Sequence, residues 1–327
     1  MYRTLSVVLA TTLLCLTTIT QAETWKTYPL ELADFEFSDE SLTERWQALT
    51  LGLRGPLPTA ESVRKDAERW PKVTAHTQEL LRERATHDER FAYFTGDLEQ
   101  HYDTYAQQLR QAWRLLLEGQ FQQARDLGLA LGPAGYFPGL YAQALYATLI
   151  EDDSEQREAL LKEVIALTDE ILPLAPDHPM IRFGNAYGKA RIMEDMSRGA
   201  AMSTGYTSEV KDQLEELLKE DENNIFAISL LGGVHGGIVD KAGGLLARMT
   251  FGAREKYMVE YFDQALSLNP QYPALYYEYA RGLINISGRS GRRQAQELLE
   301  TGAGMTPRSA EEALQIQACK ELLATLN

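Results

Sequence analysis

From about residue 40 onward, apolar residues recur at three- and four-residue spacing, broken by joints that carry proline or glycine. That period puts them on one face of successive α-helices. The two-residue alternation of a half-buried strand between hairpin turns is nearly absent. The clearest joint runs from Ala265 to Ala280. A helix carrying Phe262, Ala265 and Leu266 ends at Leu268-Asn269-Pro270, and another begins at Pro273 with Tyr276, Tyr279, Ala280 and Leu283 on its packing face. Proline suits a first helical turn because the N–H there has no intrahelical acceptor. Leu174-Ala175-Pro176-Asp177-His178-Pro179 has the same form and leads into Phe183, Ala186 and Tyr187.

Counting by 34 residues, a further unit starts near Ile225 with Ile228, Leu231 and Gly232 at the equivalent places, preceded by a helix with Val210, Leu214, Leu217 and Leu218. After Pro273, the turn Ser287-Gly288-Arg289-Ser290-Gly291 leads to a helix with Ala295, Leu299 and Gly302. An earlier hairpin reads as Ala112, Leu115, Gly119, Phe121 and Ala124. Small residues on an inner face let the partner helix come close, and a neighbouring aromatic fills the space beside it. At the end, Ser309-Ala310-Glu311-Glu312 reads as a capping box, and Leu314, Ala318 and Leu322 as a stripe covering the last hairpin. Residues 23–100 are less regular: Trp46 and Leu49 to Leu53 predict a helix, Gly55-Pro56 and Pro58 a break, and Glu61 to Trp70 a helix ended by Pro71.

This pattern resembles the tetratricopeptide repeat (TPR) superfamily, moderately to strongly over residues 170–327 and weakly over 100–170. Leu230-Leu231-Gly232, the glycine-bearing stretch through Phe251-Gly252, and Tyr261-Phe262-Asp263-Gln264-Ala265 resemble two relatives in particular. These are the regulator of microtubule dynamics family and the T component associated with TRAP-type transporters, the latter periplasmic helical proteins. The implied fold is all-α: a TPR-like solenoid of antiparallel hairpins over residues 101–308. An irregular helical cap over 23–100 would precede it and a capping helix over 309–327 would close it. Such stacks bind on a concave face and seldom do chemistry.

In a TPR hairpin the concave face comes from fixed positions of the first helix. By count these are Met180, Phe183, Tyr187 and Ala190; then Phe226, Ser229, Gly233 and Gly236; then Ala274, Tyr277, Arg281 and Ile284. The candidate binding residues are therefore Phe183, Tyr187, Phe226, Ser229, Tyr277 and Arg281, with His235 one turn after Gly232. Aromatics, small residues and one cation suit an apolar or amphipathic ligand better than an acidic peptide tail. Gly232 to Gly252 reads as an interruption of the pattern. It is either close helix packing plus a loop, or bare backbone facing something bound.

Composition adds location and exclusions. Arg3, the apolar run Leu5 to Ile19 and the small residues of Thr20-Gln21-Ala22 predict a secretory leader over residues 1–22, cleaved before Glu23. Leu14 before Cys15 does not fit a lipoprotein signal. Beyond the leader only Cys319 remains, so no intrachain disulfide is expected, and a bacterial periplasm is the expected compartment. A formal charge of −15 argues against nucleic acid and anionic membrane surfaces as partners of the chain as a whole. No stretch after the leader has the ~20 apolar residues of a membrane span, so an integral membrane protein is not expected. The basic group Arg289, Arg292 and Arg293 is either a solvated turn or a weak mark of an anionic partner.

The five histidines, His76, His87, His101, His178 and His235, show no zinc-hydrolase spacing, and nucleophile-elbow, Ser-x-x-Lys and phosphate-loop patterns are missing. No metal, cofactor or enzymatic activity is expected. Two functions remain. The favoured one is a periplasmic scaffold holding a protein or peptide of the cell envelope on its concave face. The second is a small apolar-ligand carrier of a transport system, in the manner of the TRAP T component. A cavity of ~300–1,000 Å³ sealed by Phe183, Tyr187 and Phe226 would favour the carrier, and an open groove the scaffold.

Overall fold

The computed structural model describes residues 24–286 and 288–326, so the leader expected over 1–22 lies outside the described residues. Among them every regular element is helical, with sixteen α-helices and three short 3₁₀ turns. An extended segment leads into α1 (Asp39–Thr50), α2 (Ala60–Arg69) and α3 (Pro71–Arg84). Pro71 does end α2, as expected, and it also opens α3 from the first-turn position. Then come α4 (Tyr102–Leu117), α5 (Phe121–Ala130), α6 (Tyr136–Leu149), α7 (Ser154–Ile171) and α8 (Pro179–Asp195). The six-residue α9 (Arg198–Ser203) precedes α10 (Tyr206–Glu220), α11 (Ile225–Ala242) and α12 (Gly244–Phe251). The chain finishes with α13 (Glu255–Leu268), α14 (Pro273–Ile286), α15 (Gly288–Ala303) and α16 (Ala310–Ala324).

The joints carry their own stop and start signals. His178 caps α8 by accepting from the Ile181 N–H, with Pro179 in the first turn, and Asn224 caps α11 by accepting from Ala227. Each satisfies a donor that the helix cannot. Ser309 caps α16 through the Glu312 N–H. The reciprocal half of the expected capping box is displaced by one residue: Glu312 accepts from the Arg308 N–H and binds the Arg308 guanidinium. Of the turn expected from Ser287 to Gly291, Gly288 to Gly291 are already helical in α15, and Ser287 lies outside the described residues.

Successive helices pack side by side, and small residues set how closely. A Cβ added to Gly128 of α5 would lie 2.6 Å from the Gly139 Cα of α6, so these backbones touch. On α11, a Cβ on Gly232 would meet the Phe262 ring and Tyr261 at 3.2 Å. Gly302 of α15 admits the Cys319 sulfur and Tyr276 in the same way. Cys319 is wholly buried there, and burial pushes its thiol up to about 12.

The stretch expected as a long interruption is mostly regular. Gly232, Gly233, Gly236 and Gly237 all lie inside the continuous helix α11, which ends at Gly243 with a φ of +76°. Burial on several sides explains how a glycine-rich helix survives, since packing outweighs propensity. α11 has the length and hydropathy of a membrane span, yet half of it is buried inside the protein, against α8, α10, α13 and α14.

The C-terminal helix does more than cover the last hairpin. α16 packs on α14 and α15 and also reaches α4 and α6. Its first two turns are buried on nearly every side: Ala310, Ala313 and Leu314 share a core with Trp46, Trp113 and Leu145. The end of the chain is thus wedged against its beginning.

Candidate functional site

Three helices present matching stripes to one cavity of about 460 Å³. α8 contributes Phe183, Tyr187, Ala190 and Arg191; α11 contributes Phe226, Ser229, Gly233 and Gly237; α14 contributes Ala274, Tyr277, Glu278 and Arg281. The spacing of three and four along each helix keeps these residues on a single face. Leu145, Leu149 and Leu161 from α6 and α7 complete an apolar wall. Along α8 the lining runs from Phe183 to Asp195, roughly 18 Å at the helical rise. The cavity thus extends along much of α8 as a slot.

One end is closed. Tyr141, Tyr272 and Gln315 line it, and behind them Arg54 meets Glu311 in a fork of two 2.8 Å bonds. Glu311 also accepts from the Tyr141 hydroxyl at 2.5 Å, from Tyr272 at 2.8 Å and from the Gln315 amide at 3.0 Å. Burial pushes the Glu311 carboxyl up, but Arg54 and these donors hold it below the usual carboxylate range. The Arg54 guanidinium lies over the Tyr141 and Phe226 rings, at 4.5 and 5.1 Å. Phe226 therefore packs on the buried cation while lining the slot.

The other end is half-exposed and charged. Arg191 and Glu194 of α8 face Glu278 and Arg281 of α14 in a closed square of alternating sign. The sides measure 2.7 Å (Arg191–Glu194), 2.5 Å (Arg191–Glu278), 2.7 Å (Arg281–Glu194) and 3.0 Å (Arg281–Glu278). Burial opposes the charge on Arg191, but Glu194 and Glu278 outweigh it and raise its pKa. Glu194 is likewise pushed up by burial and brought below its ordinary value by Arg191 and Arg281. The square ties α8 to α14 with no net charge. Beyond it stand Asp195, Arg198, Met202 and Phe251, from the end of α8 and from α9 and α12.

Two kinds of glycine separate on α11. A Cβ on Gly232 or Gly236 would meet Phe262 or Met258, although Gly236 also borders the cavity, whereas Gly233 and Gly237 line it with nothing within 4 Å of an added Cβ. The second pair leaves space that any side chain would occupy. At these two positions bare helix backbone faces the cavity.

Six of the seven candidate residues, Phe183, Tyr187, Phe226, Ser229, Tyr277 and Arg281, line this one cavity. His235 does not. It sits on the opposite face of α11, 4 % exposed, stacked on Tyr261 at 5.6 Å with Tyr257 at its edge, and burial brings its pKa down to about 4. It is a packed imidazole, because its position lies off the stripe that Gly233 and Gly237 define. Of the counted positions, Met180 and Ile284 also lie outside the lining.

Arg54, Tyr141, Glu311 and Gln315 were not anticipated from the sequence. Arg54 stands beside the break at Gly55-Pro56 with no motif of its own, and Glu311 entered only as part of the capping box. Among the described residues, no group of three His, Cys, Asp or Glu side chains is placed to hold a metal ion. No protein-family model, no curated protein and no solved structure matches the chain.

Proposed function

We propose that this protein is an exported, periplasmic TPR-like helical stack that carries a small apolar or amphipathic molecule. The observation that carries this reading is the slot of about 460 Å³ walled by Phe183, Tyr187, Phe226 and Tyr277. Its volume falls within the range of small-molecule sites, ~300–1,000 Å³. Its span of roughly 18 Å along α8 accommodates a hydrocarbon chain. At its half-exposed end Arg191 and Arg281 are each already paired with two carboxylates, which favours an uncharged head group beside them. Gly233 and Gly237 support the same reading, since they hold volume open at a cost in helix stability.

The rival is a scaffold that grips a protein segment on an open concave face. It fits less well, because α16 fills part of the inner side and Arg54 with Glu311 closes one end. The resemblance to the TRAP T component supports a carrier of this kind in a transport system.

Native mass spectrometry of the purified protein tests the proposal. A co-purifying small molecule, lost in Gly237→Leu with folding intact, is the expected result. A protein that holds no small molecule and takes up no chain alcohol, but captures an envelope peptide lost in Tyr277→Ala, would establish the scaffold instead.

A further inference from the structure

Beyond the slot lies a surface that the carrier reading leaves unused. Among the described residues five large apolar side chains stand exposed: Leu30, Met202, Leu245, Met249 and Leu268. Three of the five sit on the two short helices α9 and α12. Leu245 and Met249, 66 % and 75 % exposed, are one turn apart on α12, so they share a face. Met202 of α9 is 47 % exposed. Both helices reach the slot, α9 through Arg198 and Met202 and α12 through Phe251. Gly243 and Gly252, with φ of +76° and +65°, bracket α12 as a separate segment that packs on α11.

The charge here runs against the rest of the chain. Acidic residues outnumber basic ones by 47 to 32 overall, yet from Asp240 to Lys256 there are four basic and two acidic residues. Lys241 is engaged with the Glu194 and Met196 carbonyls, and Lys256 pairs with Glu260. Arg198 and Arg248 have no ion-pair partner among the described residues, although carboxylates are abundant elsewhere. Exposed apolar residues beside uncommitted arginines form the composition of a helix that lies in a lipid interface.

We infer that α9 and α12 dock on an anionic lipid bilayer. Met202, Leu245 and Met249 enter the headgroup region, Arg198 and Arg248 meet lipid phosphates, and the open end of the slot faces the membrane. The acidic remainder of the chain is repelled by the same surface, which orients the protein with this edge down. The role as a loading surface rests on the carrier reading; the docking itself does not.

The test is co-sedimentation of the intact mature protein with two kinds of vesicle, phosphatidylcholine alone and phosphatidylcholine containing phosphatidylglycerol. Binding is expected on the anionic vesicles and not on the neutral ones, weakening as salt is raised. Arg248→Glu should lower the bound fraction roughly 5-fold or more, and L245D/M249D about 10-fold or more. These positions are exposed, so circular dichroism should show unchanged folding, and retention of a chain alcohol reads the slot separately. No sedimentation with anionic vesicles, or sedimentation that both variants leave intact, overturns the proposal. So does a concentration-dependent doubling of mass abolished by L245D/M249D, which would assign the surface to a second copy of the chain.

Discussion

Arg54 and Glu311 are 257 positions apart in the chain and meet through two 2.8 Å bonds, their side chains 1 % and 2 % exposed. The loop after α1 is thereby bound to the first turn of the last helix, and the slot has a floor. Taking two charges out of water is costly, and the pair recovers that cost only while both partners are present.

Removing one partner should therefore be severe. Arg54→Met or Glu311→Leu alone is expected to lose about 3–5 kcal/mol, because each strands a buried charge. The double variant should lose less than the two single losses added together, since it strands no charge, although Tyr141, Tyr272 and Gln315 still lose their acceptor. Urea unfolding of the four proteins measures this directly. Additive losses in the double variant would mean that the two side chains are not coupled across the closed end.

Acid should weaken the protein in two stages. His178, packed on Trp70, and His235, packed on Tyr261, are both held neutral by burial, with pKa values brought down to about 4. An unfolded histidine takes up its proton near about 6.5. Between those values the unfolded chain binds protons that the folded one refuses, so stability falls as pH drops from about 6.5 towards 4. Glu311 and Glu194 have depressed folded values, so their contribution is present above the ordinary carboxylate range and is lost at still lower pH. His235→Gln should flatten the upper stage whatever its effect at pH 8. An unchanged slope between pH 6.5 and 4 would show that His235 titrates freely.

The glycines of α11 offer a substitution that separates binding from folding. Gly233→Leu and Gly237→Leu put side chains into open space within the slot. They should abolish uptake of a chain alcohol while stability holds or rises, since leaving glycine favours a helix by roughly 0.5–1 kcal/mol. Gly128→Ala is the contrast. Its Cβ would lie 2.6 Å from the Gly139 backbone, and overpacking there should cost roughly 1–3 kcal/mol. Thermal unfolding and a displacement assay distinguish the two classes.

Helix starts and stops were readable because they are local. Pro179, Pro273 and Ser309 mark helix starts where expected, and α11 starts at Ile225 as the repeat count put it. Counting along each first helix placed Phe183, Tyr187, Phe226, Ser229, Tyr277 and Arg281 on one face, which became one wall. What could not be read was whatever depends on the path of the whole chain. Nothing local to Arg54 or Glu311 signals the other, and the packing of α16 on α4, α6 and α14 joins segments far apart in the chain. The glycine run misled for a related reason: its low propensity argued for a break, while burial against α8, α10 and α13 kept it helical. His235 lies off the cavity because proximity to Gly232 in sequence carries no information about which face of α11 it occupies.

The square formed by Arg191, Glu194, Glu278 and Arg281 should set which head group the slot tolerates. With four balanced charges each guanidinium already has two carboxylate partners. A fatty-acid carboxylate arriving there would meet Glu194 and Glu278 before it could claim an arginine, so an alcohol of equal chain length should bind better. Glu278→Gln keeps the shape, removes one negative charge and leaves two arginines sharing Glu194. A charge-assisted bond to the freed guanidinium is worth about 1.5–3 kcal/mol. The ratio of dodecanoate to dodecanol affinity should then rise by about tenfold or more. Calorimetry at neutral pH reads both ligands in both proteins. If the ratio stays at its parental value while the alcohol still binds, the head group lies elsewhere and the square only fastens α8 to α14.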